Sequence, residues 1–144
     1  RRRFTLGDPA PGGSPFAGDF EISDLNRVGE FPLVSDDARG EALYFVSRAG
    51  ARKIAGGGSP TPGGSRYGGT VWTPQAINNR GQIAWAGMVE SEETWIFFHD
   101  GHTGKGSVVA RPGMPAPGCV PARHVPGALA RAADRPRPAG MRPA

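Results

Sequence analysis

The sequence predicts an all-β protein made of short antiparallel strands. Glycine and proline contribute 23 and 15 of the 144 residues, which is typical of a chain with many turns. Seven phenylalanines, three tryptophans and two tyrosines still supply large apolar side chains for a core. Between the turn signals, apolar residues alternate with polar ones or form short continuous runs, and both patterns indicate strands.

The clearest turn signal is Asn78-Asn79-Arg80-Gly81, which precedes the alternating run 82–85. Asparagine suits the first position of a type I turn, because its side chain can bond back to the backbone. Glycine suits the left-handed position that closes a hairpin with a bulge. A weaker copy, Asn26-Arg27-Val28-Gly29, lies 52 residues earlier. We therefore predict left-handed backbone at Gly29 and Gly81.

A Pro-x-Pro-Gly block occurs three times, within residues 7–13, 58–64 and 113–118, at spacings of 51 and 55 residues. Its prolines fix an extended segment that lacks backbone donors, so each block is predicted to connect two units. A period of this length is typical of repeat architectures. The predicted organisation is the end of a preceding unit with its connector in residues 1–13, a first unit in 14–64 and a second unit in 65–118.

Each unit is predicted to contain four strands. Continuous apolar runs at 42–46 and 95–98 indicate strands that are covered on both faces. Four-stranded antiparallel meanders stacked face to face form the blades of a propeller, which needs about 4–8 of them to close. We therefore predict a propeller-like fragment of about two blades, with a β-sandwich as the alternative. The predicted strands span 19–25, 30–35, 41–47 and 52–55, then 70–77, 82–89, 94–99 and 107–111.

The motif Asn78-x-x-Gly81-x-x-Ala84-Trp85 resembles the Asn-x-x-Gly-x-x-Ala-Phe repeat of a family of bacterial extracellular proteins with varied cell-surface anchors, the choice-of-anchor type. The copy that starts at Asn26 keeps Gly29 but has Pro32-Leu33 in place of Ala-Phe. The resemblance covers residues 4–118. It implies tandem repeats and an extracellular or cell-surface location, and it brings no catalytic residues that could be transferred.

The formal net charge of +4 comes from the two ends of the chain. Residues 1–3 are all arginine, and residues 119–144 hold five arginines and one aspartate, so residues 4–118 carry a net charge of −3. A nucleic-acid-binding domain would carry positive charge on its folded part, so nucleic acid is not the expected partner. Residues 119–144 are predicted to be a disordered Arg/Pro/Ala-rich tail, either native or the product of a frameshift.

Three further features limit the prediction of compartment. Cys119 is the single cysteine, so no intramolecular disulfide and no cysteine metal cluster are expected. No apolar run approaches the ~18 residues of a membrane span. The first residues carry no signal peptide, so extracellular location follows from the family resemblance alone.

His99-Asp100-Gly101-His102 is the cluster whose residue types could ligate a metal. An Asp-Gly hairpin turn explains the same residues, and we prefer that interpretation, with no metal or cofactor. Two acidic groups could suggest a calcium loop or a pair of catalytic carboxylates, but their spacing favours solvated turns. These groups are Asp36, Asp37 and Glu41, and Glu90, Glu92 and Glu93.

Trp85 and Trp95 occupy apolar strand positions and are predicted to lie in the core. Trp72 and Tyr67 lie near the glycine-rich entry to the second unit, and we predict them as a ligand surface for a glycan or a cell-surface protein. The predicted function is a non-catalytic extracellular structural or interaction module. The alternative is a fragment of a propeller-type hydrolase or lyase whose active site lies elsewhere. Two units leave apolar sheet surface uncovered, so self-association is also predicted.

Overall fold

Eight strands form two antiparallel sheets in the computed structural model, which describes residues 5, 7–11 and 15–116, with the side chain of Thr73 excepted. In both sheets the strand order follows the chain, and neither sheet closes on itself. No described segment is a helix, and therefore none is a helix that could cross a membrane. The first sheet contains β1 (Ala17–Glu21), β2 (Phe31–Asp37), β3 (Gly40–Ser47) and β4 (Gly50–Gly56), and the second contains β5 (Tyr67–Ile77), β6 (Gln82–Val89), β7 (Thr94–Asp100) and β8 (Gly106–Ala110).

The prediction of an all-β chain of antiparallel strands is confirmed, and each predicted strand has a counterpart. The largest difference is at β1, which ends at Glu21 rather than at residue 25. It ends early because the following residues bond to β5: the Ser23 hydroxyl accepts the Gln75 N–H at 2.9 Å, and Asp24 accepts the Ile77 N–H at 2.8 Å. The predicted tail, residues 119–144 with Cys119, lies outside the described residues.

One hydrophobic cluster lies between the two sheets. We call the face of the second sheet that lies in this cluster its inner face, and the opposite one its outer face. The first sheet contributes Val34, Leu43, Phe45 and Ala55, and the second contributes Tyr67, Val71, Ile83, Trp85, Val89, Trp95 and Phe97. Trp85 and Trp95 are therefore core residues, as predicted.

A second cluster lies on the other face of the first sheet. There the segment before β1 places Ala10 and Phe16 against the strands, and the Phe16 ring meets Tyr44 edge-on at 5.1 Å. The first sheet is therefore covered on both faces, and residues 42–46 of β3 are all buried, as their apolar run predicted.

The prediction that the strand is covered on both faces is wrong for residues 95–98 of β7. Trp95 and Phe97 are buried, but Ile96 is 43% exposed and Phe98 is half-buried. Alternate residues of a strand point to opposite faces, and within the described residues a covering sheet lies on the inner side of β7 only. The outer face of the second sheet is therefore apolar and open.

Two matching turns precede β2 and β6. The backbone φ angles of Gly29 and Gly81 are +82° and +76°, so the predicted left-handed conformation is confirmed. In the second turn, Asn78 Oδ1 accepts the N–H groups of Arg80 and Gln82 at 2.9 and 3.1 Å. Asn26 Oδ1 does the same with Val28 and Glu30 at 3.1 and 2.9 Å. In each turn the asparagine side chain thus supplies a hydrogen-bond acceptor for two backbone N–H groups of the turn.

Valine at Gly81 is expected to lower the free energy of unfolding by about 1–2 kcal/mol, because left-handed backbone crowds a β-branched side chain. A Cβ there would also come within 2.7 Å of His102 Nε2. Chemical denaturation of Gly81→Val measures this cost. Arg80→Val, at an exposed position of the same turn, is the control and should stay within about 0.5 kcal/mol of wild type. Equal stability of the two variants would contradict the turn geometry.

The connectors before the two sheets also match. Gly7 N–H bonds to Phe16 C=O at 2.9 Å, and Gly58 N–H bonds to Tyr67 C=O at 2.7 Å, at a spacing of 51 residues. Both glycines have positive φ, +89° and +79°. Each connector therefore folds back on itself and delivers an aromatic residue, Phe16 or Tyr67, onto its sheet.

Candidate functional site

The two residues predicted as a ligand surface lie on opposite faces of the second sheet. Trp72 is 48% exposed and pairs with Ala86 on the outer face, whereas Tyr67 is only 4% exposed and pairs with the buried Val89. The Tyr67 ring packs against Trp85 and Phe97 at centroid distances of 5.4 and 5.1 Å. The prediction that Tyr67 is open to a ligand is therefore wrong, and Trp72 alone is exposed.

A signal in the sequence could have placed Tyr67 in the core. Phe16 stands 51 residues before it, at the same distance from the Pro-x-Pro-Gly block. An aromatic residue at the same point after both connectors indicates a shared packing role. The Phe16 ring is buried in the same way.

The open outer face is organised in two rows of side chains that run across the strands. Trp72 and Ile96 are large exposed residues on this face, and small residues lie between them. An apolar face of this kind usually marks a contact with another molecule. The first row is Trp72, Ala86, Ile96 and Ala110, and the second is Ala76, Ala84, Phe98 and Ser107.

His99 lies in the core and not at the tip of a turn, so the predicted turn position is wrong for this residue. It is 3% exposed, and its Nδ1 accepts the Trp85 indole N–H at 3.1 Å. The proton of the neutral ring is therefore on Nε2, which lies 3.5 Å from the Tyr67 hydroxyl oxygen. The alternation Trp95, Phe97, His99 along β7 was the signal that places this side chain on the inner face.

Burial sets the protonation of this group. It lowers the pKa of His99 from 6.5 to about 4, because the imidazolium would lose its hydration. It also raises the pKa of the Tyr67 hydroxyl well above its usual value. Both groups are neutral at pH 7, and within the described residues they are enclosed by apolar side chains. Their arrangement suits packing, because both side chains are almost fully buried.

The remaining members of the predicted metal cluster do not converge with His99. The Asp100 carboxylate accepts the N–H groups of His102 and Thr103 at 2.9 and 3.0 Å, and these bonds lower its pKa. His102 Nε2 instead lies 3.1 Å from Glu30 Oε1, in the turn before β2. Within the described residues, no three histidine, cysteine or acidic side chains come together as metal ligands would.

A groove of about 500 Å³ opens beside the Glu30–His102 pair. Arg27 and Arg48 lie along it, but Glu30 is buried and also accepts the Asn26 amide N–H at 2.9 Å. The carboxylate is therefore committed to holding the turn in place and is not available as a general base.

The acidic residues of the first sheet are less solvated than predicted. Asp37 pairs with Lys53, and its side chain is only 4% exposed. Glu41 reaches the second sheet, where its Oε2 accepts the Val71 N–H at 2.8 Å. The prediction of a solvated turn is therefore wrong for these two residues. It holds for the second group, because Glu90, Glu92 and Glu93 are exposed.

The Tyr44 hydroxyl lies in the same part of the first sheet. It is buried and has no hydrogen-bond partner in the described part of the chain. Burial, with a smaller contribution from the charge of Asp37, raises the pKa of Tyr44 to about 12. The hydroxyl therefore stays protonated and cannot act as a base at neutral pH.

Comparisons with protein-family models, with curated proteins and with solved structures found no match. Function is therefore inferred from the residues and contacts above. The described titratable groups with shifted pKa values are engaged in turns, ion pairs or the core. The outer face of the second sheet is the candidate site.

Proposed function

We propose that this chain is a non-catalytic structural or interaction module built from tandem β units. The observation that carries the proposal is the apolar, uncovered part of the outer face around Trp72 and Ile96, which are 48% and 43% exposed. An open apolar face suits the binding of another surface, and an aromatic ring on it suits stacking against a sugar ring or a protein side chain.

The tandem arrangement is part of the proposal and is supported by contacts between corresponding residues. Asn26 Nδ2 donates to Asn78 C=O at 3.0 Å, and Asn79 Oδ1 accepts the Arg27 N–H at 3.0 Å. In both pairs the partners are 52 residues apart in sequence. Contacts between corresponding positions are expected when one unit is stacked on the next by a regular displacement, as in solenoids and propellers. We propose that the two sheets are blade-like units of this kind.

Location at the cell surface or outside the cell is proposed from the resemblance to the Asn-x-x-Gly-x-x-Ala-Phe family. The motif itself has a structural role, since Asn78 and Gly81 form the turn and Trp85 lies in the core. The alternative, a fragment of a hydrolase or lyase, stays a prediction.

A binding screen against glycans and cell-surface proteins tests the proposal, run beside a panel of hydrolase and lyase substrates with and without a chelator. Trp72→Ala is expected to weaken binding by about tenfold or more, which corresponds to about 1.4 kcal/mol. Leu25→Ala is the matched control, because Leu25 is exposed and lies in the segment between β1 and β2, in no strand of the second sheet. Turnover that disappears on replacing His99, Asp100 or His102 would overturn the proposal.

A further inference from the structure

Three positions on the outer face of the second sheet correspond to positions of the first sheet that are buried. In the first sheet, Val34, Leu43 and Ala55 form one cross-strand row. Ala86, Ile96 and Ala110 form the corresponding row in the second sheet. Leu43 is fully buried under the second sheet, whereas Ile96 is open. The strip of Ala86, Ile96 and Ala110 therefore corresponds to one that a β-sheet covers within the same molecule, whereas Trp72 corresponds to the exposed Glu21.

We propose that a second copy of this chain covers the outer face, so that two copies pair through it about a two-fold axis. The inference rests on the proposed function, because it names the partner of the interaction module. The other faces of the copy are closed, since the inner face packs on the first sheet and Phe16 and Tyr44 are buried on the first sheet's far side. Within the described residues, the outer face is therefore the apolar sheet face that remains uncovered in each copy.

The pattern of side-chain sizes on this face fits pairing with itself. Along the first row a large residue alternates with a small one, as Trp72, Ala86, Ile96, Ala110. Facing layers interdigitate when large residues lie opposite small ones. A two-fold axis parallel to the strands sets the row of one copy against the reversed row of the other, so Trp72 and Ile96 can lie over alanines. Neither row contains a charged residue, so contact between these rows brings no like charges together.

The size of the face predicts weak pairing. Four strands about 4.8 Å apart, with roughly five residues along each, give a flat footprint of roughly 300 Å². Stable interfaces bury about 800 Å² on each partner. The pair is therefore expected to dissociate on dilution, with association visible only in the upper part of a range from about 10 µM to about 1 mM.

Sedimentation velocity of the full chain over this range tests the proposal, and the expected result is a shift from one chain to two. Ile96→Asp places a charge in the middle of the first row and should abolish the shift. Leu25→Asp is the control, because it adds the same charge at an exposed position off the face. Equal thermal unfolding temperatures of the variants at low concentration establish that each one is folded.

Trp72 provides a second readout, because the other two tryptophans are buried. Acrylamide should quench Trp72 at low protein concentration and lose access to it as the pair forms. A monomer throughout the range, association that survives Ile96→Asp, or assemblies larger than two would each overturn the pairing. A monomer that still loses glycan or protein binding on Trp72→Ala would overturn the pairing and leave the proposed function standing.

Discussion

Replacing Phe97 with alanine is expected to lower the free energy of unfolding by about 3–5 kcal/mol. The Phe97 side chain is fully buried in the cluster between the two sheets and stacks on Trp85 at a centroid distance of 4.8 Å. Its ring also meets Tyr67 edge-on. Removing the Phe97 ring leaves a cavity. The neighbouring rings of Tyr67 and Trp85 are held on strands and cannot move in to fill it. Domains of this size are typically stable by about 5–15 kcal/mol, so a large part of the stability would be lost.

The adjacent Phe98 provides the matched control. It has the same side chain on the same strand, but it points to the outer face and is half-buried. Phe98→Ala is expected to cost about 1 kcal/mol, because most of the lost contact is replaced by water. Urea denaturation followed by circular dichroism, at a concentration where the chain is monomeric, gives both values. Similar losses for the two variants would contradict the assignment of the two faces.

Stability is expected to fall as the pH is lowered from about 6.5 to about 4, with His99 responsible for roughly 3 kcal/mol of the loss. Burial lowers the pKa of His99 to about 4 in the folded protein, against 6.5 in the unfolded chain. The unfolded state therefore takes up a proton first as the pH falls, and the equilibrium shifts toward it. The contribution of neutral His99 to the free energy of unfolding is complete above pH 6.5 and is lost progressively below it.

The measurement is the free energy of unfolding at several values between about pH 7.5 and about pH 4.5. His99→Gln, whose side-chain oxygen can still accept the Trp85 N–H, should flatten the dependence. His102→Gln should keep it, because His102 is largely exposed and lies outside the core. The pKa values of Asp37 and Asp100 are lowered below 3.8, so their contributions are lost below this window. A slope that persists in His99→Gln would contradict the assignment.

Local signals predicted the strands and the turns well. The left-handed glycines follow from an asparagine three residues earlier, and Trp85 and Trp95 follow from period-two alternation. These features depend on neighbours in sequence, so a short window contains their cause. Extending the same alternation by one step, from Phe97 to His99, would have placed His99 in the core as well.

What the sequence did not predict depends on contacts between distant segments. Glu41 appears as an exposed acid in its own hairpin, yet it bonds to Val71, 30 residues later. The end of β1 is set by Ser23 and Asp24, whose partners lie in β5. The open face of β7 depends on which side of the second sheet faces the first. A run such as 95–98 is equally apolar in either case.

The bonds from Ser23 and Asp24 to β5 span 52 and 53 residues, and this spacing also determines when the protein can fold during its synthesis. When the first sheet leaves the ribosome, the β5 strand that bonds to Ser23 and Asp24 has not yet emerged, and Leu43 and Phe45 have no cover. The nascent first sheet must wait, with that face exposed, for the translation of about fifty more residues. Folding is therefore expected to occur in one late step that joins both sheets, and the intermediate vulnerable to chaperones and proteases is the half-made chain.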